Sequence, residues 1–128
     1  MSLAFDPGAA RYVSLASFRR DGREVRTPVW IAAGDGRLYV YTNVKSGKVK
    51  RVRANGRARI AACDARGKLR QPEAWLDAKA RLVTDEPGRA RGFAALGAKY
   101  GWQLQLALLT SRVSGRYADR AILELQVG

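Results

Sequence analysis

The sequence predicts an α+β domain that is mainly β, closed as a barrel with short helices inserted. Three observations predict it. Strand-like runs follow one another through the first half of the chain with turn residues between them. The first of these runs is apolar on both faces, which suits a closed barrel with material packed outside it better than a half-wet open sheet. Helical spacing appears in isolated insertions rather than in alternation with strands. At 128 residues, with no internal repeat and no low-complexity linker, one domain over residues 1–128 is expected.

The elements follow in order. "RYVSLASFRR" (11–20) places Val13 and Leu15 on one face and Tyr12, Ala16 and Phe18 on the other, and it ends at the turn signal Asp21–Gly22. "EVRTPVWIAA" (24–33) is the second strand and "RLYVYT" (37–42) the third. Gly34–Asp35–Gly36 between them signals a tight hairpin, because Gly tolerates positive φ. Ser46 stands where it can cap a short helix that turns Val49 and Val52 inward and Lys48, Lys50 and Arg51 outward. "GRARIAACD" (56–64) is another strand. "AWLDAKARLV" (74–83) alternates cleanly, with Leu76, Ala78, Ala80 and Leu82 opposite Asp77, Lys79 and Arg81.

Asp85–Glu86–Pro87 opens a helix carrying Ala90, Phe93, Ala94 and Tyr100 at helical spacing, stopped by Gly101. "WQLQLALLTSRV" (102–113) fits two templates: Leu104, Leu106 and Leu108 a strand, Trp102, Leu106, Leu109 and Val113 a helix. The helix is the reading adopted. "RAILELQV" (120–127) alternates and closes the sheet as the sixth strand.

Composition narrows the chemistry. Lys and Arg number 24 against 11 acids, a formal charge of +13, so an anionic partner is expected. Eighteen of the 24 are Arg, a bias that GC-rich coding also produces, so the charge alone does not argue for DNA binding. His is absent, which excludes Ser–His and Cys–His nucleophiles and His-ligated metals. Cys63 is the one cysteine; within "IAACD" it reads as a small buried thiol. No run approaches the ~18 apolar residues of a membrane span, and a soluble, cytoplasmic protein is expected.

Two segments, "TPVWIAAGDGRLYVYT" and "NVKSGKVKRVRANGRARIAACD", carry a family resemblance. They resemble the split β-barrel flavin-binding proteins related to pyridoxamine 5′-phosphate oxidase, in the branch of deazaflavin-dependent oxidoreductases that use coenzyme F420. The likeness extends through most of the chain. It implies a homodimer of FMN-binding split barrels, with a cofactor at each of two sites across the interface. It also implies roles by position. The backbone of Thr27, Pro28, Val29 and Trp30 would lie along the ring, and Tyr41 and Thr42 near the ribityl chain and phosphate. Lys48 would be the phosphate-binding lysine, with Ser46, Lys50 and Arg51 nearby. Two departures count against vitamin B6 oxidation. The oxidases of that pathway carry basic residues where this chain has Gly47 and Thr27, and their C-terminal His and Arg have no evident counterpart here.

The residues agree with that expectation. A phosphate site needs convergent N–H donors and fixed positive charge, and a helix start at Ser46 beside Lys48 and Lys50 supplies both. From charge alone the block would be a solvated helix face. Flavin-type hydride transfer needs no catalytic His, Cys or carboxylate pair, and no catalytic residue is named. Arg51, Arg53, Arg57 and Arg59 could form a track for the anionic tail of the deazaflavin, which favours coenzyme F420 over FMN. Trp30 and Trp75, the latter across the dimer, are candidates to meet the ring or a small organic substrate, but core or interface packing is the commoner role for such aromatics. Tyr100 and Trp102 are expected to pack the second helix. Two alternatives stay open: a non-catalytic flavin carrier and a basic nucleic-acid-binding protein.

Overall fold

The computed structural model describes residues 5–34, 36–71, 74–113 and 120–127. Among these, seven strands form one antiparallel sheet: β1 (Tyr12–Phe18), β2 (Glu24–Val29), β3 (Ile31–Gly34), β4 (Arg37–Asn43), β5 (Arg57–Cys63), β6 (Leu76–Leu82) and β7 (Arg120–Val127). The helices are α1 (Gly47–Asn55), α2 (Glu86–Tyr100) and α3 (Trp102–Val113).

Strand order is β2-β1-β5-β6-β7-β4-β3, so β2 and β3, adjacent in sequence, lie at opposite edges. A single residue, Trp30, joins the two edges. The sheet therefore has to curl until its edges approach, which gives the split barrel. Here the six-strand expectation is corrected to seven. Residues 24–33 do not run as one strand: β2 pairs with β1 (Val13 opposite Val29) and β3 pairs with β4 (Ile31 opposite Val40). Pro28 lacks the N–H that a central ladder needs, so it is compatible only with an edge.

Cross-strand register sorts the core into two layers. Val13, Leu15, Val29, Ile31, Val40 and Ile60 fill the barrel, and Val49 and Val52 of α1 pack against the same cluster, as their spacing predicts. Outside the sheet, Ala32, Tyr39 and Ile122 pack against Leu96 and Tyr100 of α2 and Leu104 of α3. This outer layer needs Gly92, since a Cβ there would come within 2.7 Å of Ile122 Cγ2.

Asp85 caps α2 by accepting from the Gly88 N–H at 2.8 Å, and Gly101 ends that helix. Ser46 occupies the N-cap position of α1, but its hydroxyl makes no capping bond; it lies 3.3 Å from Thr42 Oγ1 instead. Residues 102–113 are helical, as read. Tyr100 packs as expected, whereas Trp102 is 72 % exposed and continues outward into Leu106 and Leu109. Asp35 of the hairpin signal and the side chains of Leu108 and Val113 lie outside the described residues. No helix among the described residues is long and apolar enough to cross a membrane.

Candidate functional site

Where the curled edges approach, the structure leaves a cleft of about 730 Å³. The β2–β3 break gives it Pro28, Val29 and Trp30, and the end of β4 gives it Tyr41, Thr42 and Asn43. Lys48 of α1 and Arg120 of β7 supply two cations, and none of the described lining residues is acidic. Trp102, Gln103 and Leu106 of α3 form a further wall. Six of the ten sequence-predicted site residues are thus brought together: Pro28, Val29, Trp30, Tyr41, Thr42 and Lys48.

The other four lie elsewhere. Thr27 sits opposite Leu15, a residue of the barrel interior, so its side chain takes the interior face; its Oγ1 is buried with no hydrogen-bond partner. Ser46 is turned toward Thr42. Lys50 is exposed on α1. Arg51 reaches back along the helix, its Nε donating to Ser17 Oγ at 2.7 Å and its guanidinium lying over Gly47. A Cβ at residue 47 would come within 2.7 Å of Nη1, so the glycine leaves room for this arrangement.

The α1 end of the cleft is electrostatically one-sided. The first helical bond is Lys50 N–H to the Ser46 carbonyl at 3.3 Å, which leaves the N–H groups of Gly47, Lys48 and Val49 without a carbonyl of their own helix. The first turn contains no acid. Burial, and then the neighbouring charge of Arg51, hold the Lys48 ammonium below the ordinary lysine range. Burial and Arg19 likewise lower Arg51. Lys48 has no hydrogen-bond or ion-pair partner among the described residues. Cations at the positive end of a helix are unfavourable unless an anion joins them.

The remaining arginines of the proposed tail track diverge. Arg59 pairs with Glu24 at 2.7 Å, and its guanidinium lies 4.4 Å from the centre of the Trp75 ring, whose other close cation is Arg26 at 4.6 Å. Arg57 covers Phe18 at 4.5 Å. Trp75 therefore belongs to a guanidinium–indole cluster and does not line the cleft of its own chain. Cys63 is buried, and burial pushes its thiol up, away from the reactive thiolate. Among the described residues, no group of three His, Cys, Asp or Glu could hold a metal ion.

Aromatic rings form another part of the cleft wall. Trp30 stacks on Tyr100 with centroids 4.7 Å apart and planes 14° from parallel, and Tyr41 lies 6.5 Å from Trp30. The Tyr100 hydroxyl accepts from the Ile31 N–H at 2.9 Å and has the Arg11 carbonyl at 2.7 Å as an acceptor. Lys99 donates to the carbonyls of Gly8, Ala10 and Ile31. Sequence reasoning missed this pair, and also Tyr12, Asn43, Gln103 and Arg120 on the lining. The one available signal was a Lys–Tyr pair at a helix end before Gly101; its targets are remote in sequence.

A cleft lined by cations and aromatic rings, set in a split barrel, can now be compared with known proteins. The family model for pyridoxamine 5′-phosphate oxidase matches residues 7–128. The chain belongs to the pyridoxamine 5′-phosphate oxidase family. Solved structures share its fold. HutZ, a heme storage protein from Vibrio cholerae, is 16% identical with a TM-score of 0.68, over 94% of this chain and 83% of HutZ. An F420 reductase is 18% identical with a TM-score of 0.59, over 95% and 90%. An FAD-binding protein from Mesorhizobium loti is 19% identical with a TM-score of 0.56, over 94% and 81%. No curated protein sequence matches the chain. At these identities the neighbours show this pyridoxamine 5′-phosphate oxidase fold and nothing finer.

Proposed function

We propose that this chain binds a phosphorylated flavin-type cofactor, coenzyme F420 ahead of FMN, and is an oxidoreductase acting on a small organic substrate. The observation that carries the reading is Lys48: a half-buried ammonium with no partner among the described residues, beside an acid-free helix start, on a cleft walled by Trp30 and Tyr41. Those residues fit a ligand that is anionic at one end and planar at the other. The bound cofactor would supply hydride transfer. The chain's own part is to hold the anionic group at Lys48 and the first turn of α1, and to place the ring against the β2–β3 break. Trp102 and Leu106 keep water from the remaining side.

Family membership supports an oxidoreductase over a carrier, although the same cleft would serve either. The divergence of Arg57 and Arg59 supports one phosphate site over a nucleic-acid track. It also weakens the argument for F420 that rested on a continuous arginine tail track. A homodimer belongs to the same proposal, since the apolar stripe Trp102–Leu106–Leu109 is more surface than a small monomer should expose. Heme is named for two of the structural neighbours; with no His in this chain, axial ligation would fall to a cleft tyrosine.

Titrating the purified protein with coenzyme F420, FMN, riboflavin and hemin tests the reading. The expected order is F420, then FMN, then riboflavin, with hemin weakest. Tight hemin binding with no flavin affinity would overturn it, as would sequence-selective DNA binding. Light scattering that gives a monomer mass would remove the dimer.

A further inference from the structure

Trp30 is the only residue between two strands that lie at opposite edges of the sheet, so no ladder on either side holds its ring. The structure holds it by other means. Tyr100, at the last position of α2, covers one face of the indole at 4.7 Å. Its hydroxyl accepts from the N–H of Ile31, the residue after Trp30, and is 2.7 Å from the carbonyl of Arg11, the residue before Tyr12. Trp30 and Tyr12 both line the cleft. One phenol thus fixes the backbone beside two cleft aromatics and the ring of one of them. Burial raises its pKa, which keeps the hydroxyl protonated and able to donate.

We infer that Trp30 is the aromatic platform for the planar part of the ligand and that Tyr100 is its positioning residue. The inference rests on the flavin-type reading above. It adds that ring affinity is set at the β2–β3 break independently of phosphate affinity at α1. Stacking on a pre-fixed indole loses less side-chain freedom than stacking on a mobile one. The Tyr100 hydroxyl, which is not on the described cleft lining, should then control affinity through Trp30.

The experiment uses FMN and riboflavin as probes on wild type, Trp30→Leu, Trp30→Phe, Tyr100→Phe and Lys48→Ala, all well below their melting midpoints. Trp30→Leu should weaken FMN and riboflavin equally, by about tenfold at the upper end for an aromatic pair. Trp30→Phe should recover most of that loss. Tyr100→Phe keeps the stacked ring and removes only the hydroxyl; it should weaken both probes by roughly threefold or more. Lys48→Ala should weaken FMN alone. Fluorescence of bound flavin, quenched by stacking in wild type, should reappear in Trp30→Leu. A purely structural Tyr100 would lower the melting midpoint and leave both affinities of the folded protein unchanged, and that result overturns the positioning role. If Tyr100→Phe does not fold, the Trp30→Leu and Trp30→Phe pair decides the platform. Equal affinities for those two and wild type overturn it. Wild type that binds neither probe nor F420 overturns the flavin reading and this inference together, whereas binding that is insensitive to Trp30 overturns this inference alone.

Discussion

The first turn of α1 and the last turn of α2 each carry a half-buried lysine, and the two are treated in opposite ways. Burial depresses both: Lys48 by desolvation and Arg51, Lys99 by desolvation and Arg11, with Asp6 pulling the other way. Lys99 meets three backbone carbonyls, at 2.9 Å to Gly8, 2.5 Å to Ala10 and 2.6 Å to Ile31. Lys48 meets none. An ammonium taken out of water needs compensating acceptors. At α2 the chain provides them, and the lysine ties the N-terminal segment to the β2–β3 break. At α1 the described residues provide none, and an arriving anion would offset the cost. On the proposed reading, the same residue type is structural where it is satisfied and a binding group where it is left open.

The sharpest way to break this contrast is substitution at Lys48. Lys48→Ala should weaken FMN and coenzyme F420 by roughly ten- to a hundredfold, the worth of one hydrogen bond to a charged group. Exposed Arg53→Ala is the control and should change affinity only slightly. Parallel isotherms at one salt concentration check both, and equal affinities for all three proteins would remove the anion role. Lys99→Met should show the reverse pattern. It leaves carbonyls unpaired and should cost stability of about 1.5–3 kcal/mol in urea unfolding, a larger loss than Lys48→Met causes.

A smaller effect separates the two by pH. The folded state holds the Lys48 proton less tightly than the unfolded chain. Between the depressed pKa and the ordinary lysine value, the unfolded state therefore binds more protons, and stability rises with pH. Ligand-free wild type should gain this increment in the alkaline range, and Lys48→Met should lack it. The difference between the two proteins is the quantity to measure. Tyr100, raised by burial, titrates with the opposite sign in the same range and cancels from the subtraction. A gap between wild type and Lys48→Met that does not change with pH would contradict the unpaired state of Lys48. FMN affinity should fall over the same window as the ammonium is lost.

The smallest effect concerns Tyr39. Its hydroxyl is buried with no partner and its side chain is 1 % exposed. Removing an unsatisfied buried group from a well-packed ring costs little or stabilises. Tyr39→Phe should leave the melting midpoint unchanged or raise it. By contrast, Tyr100→Phe removes a satisfied hydroxyl and should lower it.

The sequence by itself determined the parts that depend on near neighbours. Alternation in 74–83, the Asp85 cap with Gly101 as stop, and the inward Val49 and Val52 are all set within a few residues of one another. They appear in the structure as read. The clustering of Lys48 with Tyr41 and Thr42 was also legible, because a short turn joins β4 to α1 and keeps them close. Tertiary structure alone decided the rest. A strand-like run such as "EVRTPVWIAA" does not reveal that its halves pair with different strands, since the break at Trp30 is held by Tyr100, 69 residues from the Ile31 N–H it accepts. The face taken by Thr27 follows from its register against Leu15, and the divergence of Arg57 and Arg59 from the rings of Phe18 and Trp75. Lys99 reads as an ordinary helix lysine until the fold brings carbonyls 68 to 91 residues away around its ammonium. Periodicity records which side chains share a face of one element; it carries no information about which distant backbone groups will need a partner once that face is buried.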